Sequence, residues 1–245
     1  MMISTLRKIK AVLRRCYRQF DLVRKWALLK FVPHMADPKK VFCISFQRTG
    51  TTSTGKFLAD HGLRLATYSV SRNNNWTRAW FNEKYEAIFK SIDFQYYQAF
   101  EDDPWWCLEF YKELNWRFPQ ARFILFVRDS DKWFDSMLRH SKGKTLGNTE
   151  IHSTLYNRQD EFRDQFPNHH KLNETDNLLP LTEEHRKHYK EIYEKRNQAV
   201  IDYFQKQTNF IHLRLEDNEK WRKLGDFLQF PVNESYRAHE NSSKV

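Results

Sequence analysis

Two short apolar runs constrain the fold of this chain more than any other feature. Val41-Phe-Cys-Ile-Ser-Phe46 and Phe123-Ile-Leu-Phe-Val127 are almost wholly apolar. A strand buried on both faces shows this pattern, because neither side of it alternates toward water. Polar residues come directly after each run, and helical spacing comes after those. The first is succeeded by a Gly/Thr turn at 47–53 and a helix from near Thr52, carrying Phe57 and Leu58, to about Gly62. After the second come Arg128 and a helix capped by Ser130 that holds Trp133, Phe134 and Met137. Phe210 to Leu215 is a third strand candidate, with a long helix over about 182–207 before it and a helix through Trp221, Leu224 and Leu228 after it. Strands alternating with helices predict an α/β fold, a central parallel sheet flanked by helices. Ligands of such sheets bind at the carboxyl ends of the strands, here Phe46 and Val127.

Between the strands, residues 70–100 are polar and then helical and aromatic, with Trp76, Trp80, Phe81, Tyr85, Phe89, Tyr96 and Tyr97. Pro104 suits the start of a helix through Trp116, which Phe118-Pro119 ends. Residues 141–181 read as polar loop. The 20 Phe and 8 Trp serve packing as well as a planar ligand, so their number alone decides nothing. Cys16, Cys43 and Cys107 are too few and too scattered for a disulfide framework or a metal set.

The charge of +10 is segregated. Residues 1–40 hold eleven Lys/Arg against Asp21 and Asp37, and the other 205 residues hold 30 basic and 29 acidic groups. The division expected is an N-terminal segment, 1–40, ahead of a single domain, 41–245. A near-neutral body gives no reason to expect a nucleic-acid partner. Within residues 2–31, Ile3, Leu6, Ile9, Leu13, Tyr17, Phe20, Val23 and Ala27 recur at helical spacing, with Arg7, Lys8, Arg14, Arg15, Arg18 and Lys25 among them. This basic amphipathic helix is too charged to span a bilayer and lacks the uncharged core of a signal peptide. It can pack on its own domain, lie on a membrane surface or an acidic partner, or act as a mitochondrial transit segment. The expected location is cytoplasmic, with peripheral membrane contact through this helix. Four Asn-x-Ser/Thr sequons, at Asn75, Asn173, Asn233 and Asn241, have no secretory signal to support their use.

The turn Gln47-Arg48-Thr49-Gly50-Thr51-Thr52-Ser53 leaves a buried strand and enters a helix. Gly50 allows a close backbone approach, and unpaired N–H groups at a helix start favour an anion. Thr49, Thr51 and Thr52 add hydroxyls and Arg48 a cation. A capped helix with a surface arginine is the plainer reading. Gly50 to Lys56 also spells seven residues of a GxxxxGK phosphate loop, which would imply a nucleotide kinase or NTPase. Phe57 stands where that motif needs a magnesium-binding hydroxyl, and Lys56 falls inside the expected helix.

The stretch 47–53 resembles the 5′-phosphosulfate loop of sulfotransferases that use 3′-phosphoadenosine 5′-phosphosulfate (PAPS), commonly PKSGTTW. Bacterial and algal-type members carry a similar Arg-Thr-Gly-Thr-Thr-Ser form. The Pro and Trp positions differ here, as Gln47 and Ser53. Arg128, with Ser136 eight residues on, resembles the family's 3′-phosphate site. Glu101-Asp-Asp-Pro-Trp-Trp106, Phe110-Tyr-Lys-Glu-Leu114 with Phe118-Pro119, Tyr193-Glu-Lys-Arg-Asn197 and His239-Glu-Asn241 are similar to further family landmarks. The likeness covers about 41–241. It implies a P-loop-type sheet, PAPS as sulfuryl donor without a metal, and in-line transfer to an acceptor hydroxyl or amine. Gln47, Arg48, Thr49, Gly50, Thr51, Thr52, Ser53, Arg128 and Ser136 would hold the donor. Arg48 would stabilise the leaving group electrostatically. Asp102 would be the base, with Glu101 and Asp103 as alternatives, unless one of the aspartates only caps a helix at Pro104. The acceptor, a small molecule, sugar or lipid, is not legible, nor is the oligomeric state. An inactive homologue that keeps the fold is the remaining alternative.

Overall fold

A computed structural model describes residues 2–32, 39–143, 150–168 and 179–238. The chain runs through α1 (Met2–Phe31), β1 (Val41–Cys43), α2 (Thr51–Asp60), β2 (Leu65–Ala66) and four short helices, α3 (Tyr68–Asn74), α4 (Trp76–Phe81), α5 (Tyr85–Phe89) and α6 (Ile92–Tyr96). It continues with β3 (Ala99–Phe100), α7 (Phe110–Arg117), β4 (Arg122–Val127), α8 (Ser130–Ser141), α9 (Glu150–Leu155) and α10 (Gln159–Gln165). After a 3-10 turn at Glu183–His185 come α11 (Arg186–Phe204), β5 (Phe210–Arg214) and α12 (Lys220–Leu228). All strand pairs are parallel, in the order β2-β3-β1-β4-β5. This is the expected α/β architecture.

Both faces of the sheet are covered, which explains why its strands do not alternate with polar residues. Phe42, Phe123 and Leu125 face a large core that contains Trp76, Trp105, Trp133, Tyr193 and Phe204. Val41, Ile124, Phe126 and Leu213 face a smaller core with Phe57 and Leu58 of α2 and Trp221 and Leu224 of α12. Aromatic packing dominates the first. The Phe42 ring lies within 6.4 Å of the rings of Phe94, Phe100, Trp105, Phe118 and Phe123. Much of the aromatic excess is therefore core.

The structure departs from the sequence reading in several places. The apolar run 41–46 is regular strand only to Cys43. Past that point the Ile44 N–H still donates to the Ile124 carbonyl at 2.9 Å. The Phe126 N–H, however, donates to the Ser45 hydroxyl at 2.7 Å, and the Ile44 carbonyl accepts from Arg196 Nη1 at 2.7 Å. Side chains replace the ladder there. Strands β2 and β3 have two residues each, too few to leave a pattern. No helix starts at Pro104: Asp102 (φ 70°) and Leu108 (φ 38°) are left-handed, and successive tight turns carry the chain to Phe110. Trp105 and Trp106 are buried in those turns, not along a helix face. Asp129, not Ser130, caps α8, by accepting from the Lys132 N–H at 3.0 Å. Within 141–181, expected to be loop, α9 and α10 form.

The basic helix forms over the expected residues. It meets the body through Lys25, whose buried Nζ reaches Asp93 at 2.5 Å, Asp21 at 2.7 Å and the Tyr97 hydroxyl at 3.1 Å. Asp93 also accepts from Asn74 at 2.7 Å. Lys25→Met leaves the Asp93 carboxylate buried beside an apolar chain, at a cost of about 3 kcal/mol. We expect faster proteolytic cleavage within α1 and a lower urea midpoint, and substantial recovery of both when Asp93→Asn is added.

Candidate active site

The sheet order sets β3, β1 and β4 side by side, so the loops leaving their carboxyl ends share one edge of the molecule. The turn after β1 reverses through two left-handed residues, Arg48 (φ 67°) and Gly50 (φ 86°). Gly50 is needed twice. Its φ disfavours a side chain, and an added Cβ would lie 2.7 Å from Leu215 Cδ1. Helix α2 starts at the next residue, and no side chain caps it. The positive end of its dipole therefore faces the bend, which favours an anion there.

The loop is braced from behind. The Thr49 hydroxyl donates to the Phe46 carbonyl, and Thr49 is fully buried. Gln47 Nε2 donates to the Tyr156 hydroxyl at 2.8 Å, while its carbonyl accepts from Trp133 Nε1 at 3.0 Å. Both residues thus shape the turn with their side-chain and carbonyl groups. Thr51 and Ser53 are buried and Thr52 is exposed. Gly55 and Lys56 lie well inside α2. Lys56 pairs outward with Asp60 at 3.0 Å, and Gly55 admits the Glu101 side chain and Leu65, each 3.1 Å from where its Cβ would be. The arrangement of a GxxxxGK phosphate loop, with its lysine folded over the bend, is not formed.

Cations gather at this bend. Arg48 Nε donates to Ser136 Oγ at 3.1 Å, and Arg128 Nη1 to the Arg48 carbonyl at 3.4 Å. The first predicted anchor therefore touches both members of the second. Tyr193 holds Arg128 by its backbone: the hydroxyl accepts from the Arg128 N–H at 2.9 Å, and the ring stacks on Trp133 at 4.3 Å. Arg128 Nε is buried without a hydrogen-bond acceptor, its approach to Glu216 being 3.9 Å. Burial first, then the charges of Arg128 and Arg139, push the Arg48 guanidinium below the usual arginine value. His140 is lowered by burial and by Arg48. Like charges held this close together favour a polyanion between them.

Carboxylates gather on the other side, after β3. Burial and then the Asp102 charge raise Glu101 to about 8. Burial and then the Asp103 charge raise Asp102 to about 7. One Glu101 oxygen, Oε2, is buried with no hydrogen-bond partner. Asp102 Oδ1 accepts from the Asp103 N–H at 2.8 Å. Asp103 has both oxygens engaged, by Trp106 Nε1 at 2.7 Å and by His152 Nε2 at 3.3 Å. Burial opposes a charge on His152, but Asp103 outweighs it and the imidazole stands above its ordinary value. None of the three carboxylates caps a helix at Pro104, since none begins there.

The two halves are wired together through aromatic side chains. Tyr156, which holds Gln47, lies 6.3 Å from the Trp106 ring that holds Asp103. Tyr156, His152, Arg139 and Tyr68 are not singled out by the sequence. Tyr68 opens α3, and its backbone bonds to Glu101. His152 and Tyr156 share the α9 turn, but Tyr68 and Arg139 come from other helices, and no spacing ties the four together. His239-Glu-Asn241 lies outside the described residues.

A strand, a left-handed turn carrying Arg48, the start of α2 and Arg128 at the end of the next strand thus lie together at one edge of the sheet. A family model described as a sulfotransferase domain matches residues 40–245, and the chain belongs to that family. The match begins after α1. Curated proteins give no match to the chain.

A pH dependence arises from the raised carboxyls. The folded protein keeps protons on Glu101 and Asp102 at pH values where the unfolded chain, with carboxyl values near 4, has lost them. The folded state binds more protons in this range, so stability falls as pH rises from about 5 to about 8, by up to about 1.4 kcal/mol per pH unit for each proton. Urea unfolding across this range checks it. Glu101→Gln should flatten the slope and raise the midpoint near pH 8; an unchanged slope would mean that Glu101 ionises normally.

Proposed function

We propose that the protein transfers a sulfuryl group from PAPS to a hydroxyl of a small-molecule, sugar or lipid acceptor. The observation that carries this reading is the cluster of Arg48, Arg128 and Ser136 around the uncapped start of α2, with a buried Arg128 Nε still lacking an acceptor. A nucleotide phosphorylated at both ends suits such a site, since one strand end supplies a helix start and the next an arginine with a hydroxyl. Residues 41–245 would form the transferase domain and 1–40 an appendage to it.

In this reading Ser136 and Arg128 hold the 3′-phosphate, and the first-turn N–H groups of α2, with Thr51 and Thr52, hold the 5′-phosphosulfate. Gln47, Thr49 and Ser53 keep the loop in shape. The acceptor oxygen bonds to sulfur as the bond from sulfur to the bridging phosphate oxygen breaks, and adenosine 3′,5′-bisphosphate leaves with the electron pair. Arg48 meets the charge growing on that oxygen, and a permanently charged guanidinium does so without donating a proton. Asp102 takes the acceptor's proton. Its value of about 7 leaves a useful fraction ionised near neutrality and still gives a base of some strength. Asp103 is the weaker candidate because Trp106 and His152 occupy both its oxygens.

Calorimetry with adenosine 3′,5′-bisphosphate tests the donor site. Ser136→Ala and Arg128→Ala should each weaken binding by about tenfold or more. Wild-type affinity in both would reject the 3′-phosphate assignment. Radiolabelled sulfate transfer from PAPS across alcohols, phenols, sugars and lipids tests the reaction. With any acceptor found, Asp102→Asn should lower turnover by about 100-fold while leaving nucleotide affinity nearly unchanged. Turnover like that of the wild type would remove Asp102 as base.

A further inference from the structure

Helix α1 is attached by the wrong face for an ordinary amphipathic helix. The bonds that fix it to the body are polar, with Leu22, Leu28 and Leu29 half-buried. Arg18 donates to Asn74 at 3.4 Å, Lys25 is buried on Asp93, and Asp21 joins Lys25. Residues 18, 21 and 25 share one side of the helix. The side opposite carries Ile9, Leu13, Phe20, Val23 and Phe31, which are between 50% and 77% exposed. Of the eleven large apolar residues left exposed among the described residues, eight are on this helix, so the stripe is a feature of α1 and not of the surface at large.

We infer that this stripe lies on the surface of an anionic lipid bilayer. Nine Lys/Arg against Asp21 give residues 2–31 a strong positive charge, whereas the rest of the protein is close to neutral. Lys10, Arg15, Arg24 and Lys30 are exposed at the margins of the apolar stripe, where they reach lipid phosphates as the stripe enters the acyl boundary. A helix of 30 residues lays about 45 Å of apolar edge on a flat surface, with no groove required. Charge argues against a second copy as the occupant, since two such helices face to face set nine cations against nine. A crossing helix is excluded on other grounds: no helix among the described residues is long and apolar enough to span a membrane. This inference stands apart from the catalytic reading, because it uses none of the residues assigned there.

Vesicle flotation of the full chain tests it, with phosphatidylcholine alone and with roughly a third phosphatidylserine added. Binding should be at least about tenfold stronger to the anionic vesicles and should fall as salt rises. The double variant Leu13→Glu, Phe20→Glu should lose about tenfold or more of it, with an unchanged thermal midpoint because both side chains face water. Cys16 gives a second readout. It is exposed on the stripe, whereas Cys43 and Cys107 are buried, so a polarity-sensitive fluorophore attached there should shift to the blue on anionic vesicles only. Equal binding to both vesicle types, no binding to either, or a double variant that binds like the wild type would overturn the proposal. So would light scattering that finds a dimer which the double variant abolishes, since a second copy would then cover the stripe.

Discussion

The site depends on how the chain leaves β1. This strand is the middle one of the three whose carboxyl ends meet, and its ladder to β4 is cut short by side chains. Arg196 makes that possible at a cost. The residue is half-buried, but its Nε and Nη2 are buried with no hydrogen-bond acceptor, and burial pulls it to about 10. Its charge lies near the rings of Phe46 and Tyr111, at 5.4 and 5.6 Å, and its one hydrogen bond fixes the Ile44 carbonyl. A buried guanidinium so poorly paired contributes little to stability. What it does is hold the strand end from which Gln47 to Gly50 must turn, ahead of helix α2.

The electrostatics on either side of that turn are unfavourable in opposite senses. After β4, arginines repel one another; after β3, carboxyl groups do, and two of them answer by holding their protons to near neutrality. A fold selected for stability alone would interleave the two sets. Their segregation by one strand's width is the arrangement expected where a donor of negative charge and a proton must be handled side by side. Asp103 differs in its bonding. Bound to His152 and Trp106, it is a fixed neighbour of Asp102, which burial and then that neighbour raise to about 7.

The legibility of each element in the sequence depends on what that element needs. Strand β4 and the turn 47–53 are plain, because burial on both faces and a glycine in a tight bend leave marks in few residues. The pairing of Arg48 with Ser136, and of Arg128 with the Arg48 carbonyl, can be expected only from resemblance, since adjacency of β1 and β4 is not a local property. Two-residue strands such as β2 and β3 carry no period. The spacing of Trp105 to Trp116 predicts a helix from Pro104, whereas left-handed Asp102 and Leu108 break the segment 102–109 into turns. His152 and Tyr156 are invisible for a different reason: their roles come from contact with Asp103 and Gln47, more than 45 residues away in the chain.

The N-terminal helix adds a separate constraint. Its apolar period is evident, but a period cannot say which way the stripe points, and here it points away from the core it would ordinarily join. The direction is set by a few polar groups around Asp93, where Lys25 from α1 and Asn74 from α3 meet. Because α3 begins beside Glu101 and ends at Asn74, the same short helix touches both the carboxylate cluster and the mooring of α1. Whatever surface the stripe meets is therefore held at a fixed bearing to the carboxyl edge of the sheet, through contacts that involve none of the residues proposed to bind the donor.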